Sequence, residues 1–163
     1  MKNKDIIKNY NVLQAVQESE RQYYQKTGKT LFLGRVKILY AIRKNMEELM
    51  EKLGPYNETL KTLNEEYRNI EKEQEILQEA AKQYQEKVAQ WENGERENRP
   101  EEPMIPAIFK EGKRRDEYDE KYKELLEIEV NDVNIYKVDI MLLDGVEISS
   151  VDLGALMFML EEK

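Results

Sequence analysis

From Leu39 to Trp91 an apolar residue recurs at alternating steps of three and four: Leu39, Ile42, Met46, Leu49, Leu53, Tyr56, Leu60, Leu63, Tyr67, Ile70, then Leu77, Ala81, Tyr84, Val88 and Trp91. Only Gln74 interrupts the series, and the residues between are mostly Glu, Lys, Asn, Gln and Arg. This spacing holds one stripe on the same side of a helix over many turns, the arrangement of a seam that packs against another helix. Gly54-Pro55 falls inside the register, where proline removes a backbone donor and clashes with the preceding turn. The pattern therefore predicts two helices, 31–53 and 55–92, either nearly continuous or folded back as a hairpin. The second would be more than about 50 Å long. The rest of the chain is too small to cover it, so self-association along the arm is expected, with Leu60, Leu63, Tyr67, Ile70, Leu77 and Tyr84 as the oligomer seam of a homo-oligomer.

Around the arm the signals change. Ile6, Ile7, Tyr10, Val12, Leu13 and Val16 give residues 4–26 a helical stripe, which Lys26-Thr27-Gly28-Lys29 interrupts. Asn93-Gly94 and the prolines at 100, 103 and 106 predict a charged linker or loop over 93–114. Residues 115–126 read as a short helix. Glu127–Val130, Val133–Leu142 and Val146–Ile148 alternate apolar with polar residues around Asn131-Asp132 and Asp144-Gly145, which predicts an antiparallel meander. Ser149 with Asp152 marks the start of a last, strongly apolar core helix. The expected fold is mainly α with a small β element (α+β), a long coiled-coil-like arm plus a C-terminal β-meander and helix. Residues 1–92 form the helical region with a break near 54–55, 93–114 the linker, and 115–163 a small α+β region packing on the helices.

Composition narrows the chemistry. The chain has no cysteine and no histidine, which removes disulfides, thiolate nucleophiles, iron–sulfur clusters, the commonest zinc ligands and the side chain best suited to proton transfer near neutral pH. The 34 Asp and Glu residues leave room for a carboxylate-bound hard cation, but neither Glu71–Glu75 nor Glu95–Glu102 has the ligand spacing of a calcium loop. A non-enzyme is expected, with no cofactor and no metal. No apolar run reaches signal-peptide or membrane-spanning length, so the expected place of work is a cytoplasm, away from membranes.

The net charge of −8 conceals an asymmetry. Residues 1–44 hold ten Lys and Arg against Asp5, Glu18 and Glu20, a balance of +7, which leaves −15 for the remainder. Gly28-Lys29-Thr30 matches the end of a phosphate-binding loop, but Tyr23 stands where that loop needs a glycine, and no apolar strand precedes it. The basic, tyrosine-bearing run Arg35, Lys37, Tyr40, Arg43 and Lys44, extended by Tyr23 and Tyr24 with Arg21 and Lys26, is the candidate ligand site. Guanidinium and ammonium groups hold phosphate oxygens, and tyrosine offers a face to a base. The plainer alternative, which the usual behaviour of charge runs favours, pairs these cations with the chain's own acidic arm at Glu65, Glu66 and Glu71–Glu75. Duplex nucleic acid is disfavoured by the overall negative charge and by the lack of any recognition-helix pattern.

The run Leu39-Tyr40-Ala41-Ile42-Arg43-Lys44-Asn45-Met46, the charged middle helix, the ending Leu143-Asp144-Gly145-Val146-Glu147-Ile148-Ser149-Ser150-Val151-Asp152-Leu153 and the following Ala155-Leu156-Met157-Phe158-Met159-Leu160-Glu161-Glu162 resemble an uncharacterised family of small proteins encoded by phages of Gram-positive bacteria. The resemblance implies a host bacterial cytoplasm and supplies no catalytic residues. The function expected is that of a non-catalytic accessory protein that neutralises a host protein or a small anionic nucleotide-like immune signal. The alternative is an assembly chaperone acting through the coiled-coil arm.

Overall fold

The computed structural model describes residues 1–95 and 97–162. Its elements are α1 (Asn3–Thr27), α2 (Val36–Lys52), α3 (Gly54–Tyr67), α4 (Ile70–Glu92), α5 (Arg115–Glu127) and α6 (Ser150–Leu156), with two strands, β1 (Val138–Asp139) and β2 (Leu160–Glu161). The fold is mainly α with a small β element. Two compact units divide the chain: Met1–Glu58 together with Lys123–Lys163, and Thr59–Tyr122. Their boundaries fall within α3 and α5.

In the first unit α1 packs on α2 and on α6. Ile6, Leu13 and Val16 from α1 meet a core built from Phe32, Ile38, Ala41, Ile42, Leu49, Leu143, Leu156 and Met159, all buried. Gly28 ends α1 in the left-handed conformation, φ 69°, with its N–H bonded to the Tyr24 carbonyl at 2.8 Å. The second helix begins at Val36 and not near Leu31. A turn over residues 31–34, closed by Gly34 at φ 76°, first inserts Phe32 into the core.

At Gly54-Pro55 helical hydrogen bonding carries through the junction between α2 and α3. Leu53 keeps right-handed helical dihedrals, its N–H bonds the Leu49 carbonyl at 3.0 Å, and its carbonyl accepts from Asn57 N–H at 2.9 Å. Pro55 sits in the first turn of α3, where its missing N–H leaves no ladder bond unmade. A second break, at Arg68-Asn69, divides the long helix although the apolar register runs through it. Asn69 caps α4 there, its side chain accepting the Lys72 N–H at 3.1 Å.

The antiparallel meander does not form. β1 pairs in parallel with β2, Val138 opposite Leu160, and Ile140–Leu143 winds into a 3₁₀ turn capped by Asp139. Glu129 instead makes an isolated bridge to Lys2. A two-stranded ribbon gains little alone, and the backbone groups of this segment find partners on helices. Ser149 caps α6 as expected, accepting the Asp152 N–H at 3.0 Å. The helix is short, however, and passes through a 3₁₀ turn at Met157–Met159 into β2.

Asn45, fully buried in the middle of α2, fixes the C-terminal segment. Its Oδ1 accepts the Tyr136 N–H at 2.7 Å, and its Nδ2 donates to the Tyr136 carbonyl at 3.0 Å and to Met159 Sδ at 3.5 Å. The start of α1 is held separately. Asn3 Nδ2 donates to the Leu125 carbonyl at 2.8 Å, Met1 and Val130 exchange backbone bonds, and Glu127 binds both Lys2, at 2.7 Å, and Lys4.

Asn45→Ala strands two backbone groups of Tyr136 and should lower unfolding free energy by about 2–3 kcal/mol, measured by urea titration. The two lysines hold the Glu127 carboxyl down at about 2. A carboxylate depressed in the folded state stabilises fully above the unfolded value of about 4.3, and its contribution fades as pH falls toward the folded value. An NMR titration should find Glu127 ionised at pH 3, and Glu127→Gln should flatten the acid limb of the stability profile between those values.

Candidate functional site

The helical period sorts α2 into two opposed stripes. Ile38, Ala41, Ile42, Asn45 and Leu49 are buried. On the far side, within about 40° of one line down the helix, lie Val36 (74% exposed), Tyr40 (53%), Arg43, Glu47 and Met50 (64%). Arg43 and Glu47 pair at 3.1 Å across one turn, both well exposed. Tyr40 meets the Tyr136 ring edge to face, centroids 5.4 Å apart. Tyr136 is placed by Asn45, so the buried amide also sets the wall of the outer face.

Tyr40, Arg43, Lys44 and Glu47 line a shallow cleft of 280 Å³ on this face. Arg35 and Lys37 lie elsewhere, around a 220 Å³ hollow with Gly34, Val36, Ile38 and Leu142. Arg35 is committed further, donating from its guanidinium to the Asp144 carbonyl at 2.6 Å. Tyr23 and Tyr24 occupy the last turn of α1, Tyr23 half-buried and Tyr24 exposed, and line neither hollow. The basic run thus resolves into one cleft with three of the seven residues, a second hollow with two, and two tyrosines apart. Among the described residues, Lys37 and Lys44 have no ion-pair partner.

A larger cleft, 520 Å³, lies between α1 and α2, and of the residues grouped with the basic run only Arg21 lines it. Val16, Phe32, Leu39 and Ile42 contribute apolar surface, and Gln14, Gln17, Glu18, Glu20 and Arg21 its polar lining. Arg21 is held by Glu18 through two bonds of 2.9 Å, and this pairing keeps the Glu18 carboxyl below its ordinary range.

The acidic arm finds cations within its own unit. Glu66 binds Lys113 at 2.8 Å and Lys121 at 4.0 Å, and both ammonium groups also stand over the Tyr67 ring, at 4.7 and 5.0 Å from its centroid. Arg68 forks onto Glu73 at 3.0 and 2.6 Å, and Glu73 also accepts the Ile108 N–H at 2.8 Å. These bonds hold the Glu73 carboxyl below its ordinary range, Arg68 being the larger influence.

The same bonds anchor the segment after α4 to that helix. The Ile108 carbonyl accepts from Asn69 N–H at 2.7 Å, while nine residues earlier the Arg99 guanidinium lies 5.7 Å from the Trp91 ring centroid. Asn69 and Trp91 are about 33 Å apart along the helix, close to the full reach of nine extended residues. The proline-bearing segment is therefore a strap tied to α4 near both ends of that helix. Of the proposed seam, Leu63 and Tyr67 are buried in the structure, Leu60, Ile70 and Tyr84 are half-buried, and Leu77 is 49% exposed.

No known protein family, characterised protein or solved structure matches the chain. Among the described residues no group of acidic side chains is arranged to hold a metal ion, and no helix is long and apolar enough to cross a membrane.

Replacing Arg68 by alanine leaves Glu73 charged and nearly buried without its partner, a change that costs about 3 kcal/mol in comparable pairs. The expected readout is faster hydrogen exchange at Ile108 and earlier proteolysis within residues 97–107. Unchanged exchange would show that the strap is held by other contacts.

Proposed function

We propose that this chain is a non-catalytic, phage-type accessory protein that sequesters a small anionic, phosphate-bearing ligand on the outer face of α2, and so neutralises a host signal. The observation that carries this reading is the cleft of Tyr40, Arg43 and Lys44. Two cations and an aromatic ring line one hollow with Glu47, which pairs with Arg43, and Lys44 is uncommitted to any carboxylate among the described residues. Phosphate oxygens accept from guanidinium and ammonium donors, and a tyrosine ring accepts stacking from a base. At 280 Å³ the hollow is below the usual range of about 300–1,000 Å³ for enclosed small-molecule sites, so it suits a phosphate or pyrophosphate group better than an entire nucleotide. The phage setting comes from the resemblance of residues 39–46 and 143–162.

A second reading, assembly through the arm, is favoured by Ile76 and Leu77, which α4 leaves 40% and 49% exposed. The two readings separate in one experiment. Calorimetry with inorganic pyrophosphate should show binding that weakens as salt is raised and drops at least about tenfold, the equivalent of 1.4 kcal/mol, in Lys44→Glu. Leu77→Glu should leave it unchanged. Binding that survives Lys44→Glu together with Arg43→Glu, or is lost in Leu77→Glu, would contradict the assignment.

A further inference from the structure

The outer stripe of α2 is complementary to itself when reversed. Counting outward from Asn45, Arg43 and Glu47 stand two residues to either side, and Tyr40 and Met50 five residues to either side. Two copies of α2 laid antiparallel and centred at this position would therefore place Arg43 against Glu47 of the second copy, twice, and Tyr40 against Met50 of the second copy, twice. The first pair is a charge match, and the second is a sulfur–aromatic contact. On one flank Lys37, eight residues before the centre, would lie about 3 Å along the axis from Glu51, six residues after it, on the second copy, within reach of an opposite charge. A twofold interface requires this reciprocity, residue i meeting j while j meets i. All six side chains are exposed, and the steps of three and four between Val36, Tyr40, Arg43, Glu47 and Met50 are those of a helix-pairing stripe.

Lys44 is one residue from the centre, so the same superposition brings the two Lys44 residues to the same flank beside the axis, offset by only about 3 Å along it. Like charges so placed oppose pairing unless an anion lies between them. We propose that α2 pairs antiparallel with α2 of a second copy of this chain, and that the two Lys44 ammonium groups, with Tyr40 from each copy, complete one anion site across the axis. This deepens, and rests on, the reading of the Tyr40–Arg43–Lys44 cleft given above. It also accounts for the small size of the cleft in one chain, since each copy supplies half of the site.

An α2 of 17 residues is about 25 Å long and offers less contact than the roughly 800 Å² per partner of a standard stable interface. The pair is thus weak by itself and is strengthened by its ligand. By linkage, an anion that binds only the paired form raises the association constant, and association raises the affinity for the anion by the same factor.

The test is sedimentation velocity on the full chain, with and without inorganic pyrophosphate, using charge variants whose folding is checked by circular dichroism. Wild type should dimerise more tightly with pyrophosphate. R43E and E47R should each lose at least tenfold in self-association, because each places like charges across the axis. A mixture of R43E and E47R chains should associate, one copy carrying only acids and the other only bases at these positions, and the double swap R43E/E47R should restore self-association. Failure of the mixture to associate, when both chains are folded, overturns the pairing. K44A should still dimerise but should lose the response to pyrophosphate; a response that persists overturns the shared site. Pyrophosphate bound by a monomer would refute the pairing while leaving the proposed function standing. A dimer indifferent to pyrophosphate would refute the anion reading and the shared site together.

Discussion

The buried amide of Asn45 determines how the rest of its unit is arranged. A side chain with one acceptor and two donors, fully enclosed on the inner face of α2, is costly unless its groups are used. Here the carbonyl and amide ends clasp both backbone groups of Tyr136, and the amide also reaches Met159. That clasp holds residues 136–139 against α2, which positions β1 to receive β2 and brings the apolar residues Leu156, Met159 and Leu160 into the core. It also orients α2 itself. With Asn45 inward, Val36, Tyr40, Arg43, Glu47 and Met50 must face outward, because the helical period allows no other assignment.

The second unit is organised by a different device. Glu73 is nearly buried and is matched by a guanidinium fork and a backbone N–H, so its charge is accommodated and its geometry is directional. Asn64 extends the network, accepting from Tyr118 Oη at 2.7 Å and from Arg68 at 3.3 Å. The consequence is that α4, which has only Glu73 buried along its length, is not left without company. The strap runs beside it from Trp91 to Asn69, and prolines at 100, 103 and 106 make an extended path natural because they cannot enter a helix.

Much of this could be read from residue order, because helices announce themselves through local spacing. The bounds of α1 and α5, the helix boundary at Gly54-Pro55 and the Ser149 cap all depend on neighbours within a few positions. The errors share a cause as well. Residues 127–148 alternate like strands, yet their backbone partners are Asn45, Glu48 and the N-terminal residues, far away in sequence. The break at Arg68-Asn69 was legible locally, since Asn69 precedes Ile70 with Glu71 and Glu73 in the first turn, but the apolar register runs through it and conceals it. At the candidate site, Tyr40, Arg43 and Lys44 share a surface because they lie within five positions on one helix. Tyr23 and Tyr24 were grouped with them by composition alone, although the Gly28 turn already placed them on a different helix.

The central claim is that the outward face of α2 is made to meet a second copy in reverse, about an axis near Lys44. Because the chain contains no cysteine, a single introduced thiol takes a nitroxide label at one known position, and electron–electron dipolar spectroscopy then measures the distance between copies. In the presence of pyrophosphate, label at K44C should show a short separation, and label at K37C a much longer one, since the seven steps between them add about 1.5 Å each on both helices, roughly 20 Å along the axis. Equal distances at the two positions, a shorter one at K37C, or no dipolar coupling at K44C would contradict the account.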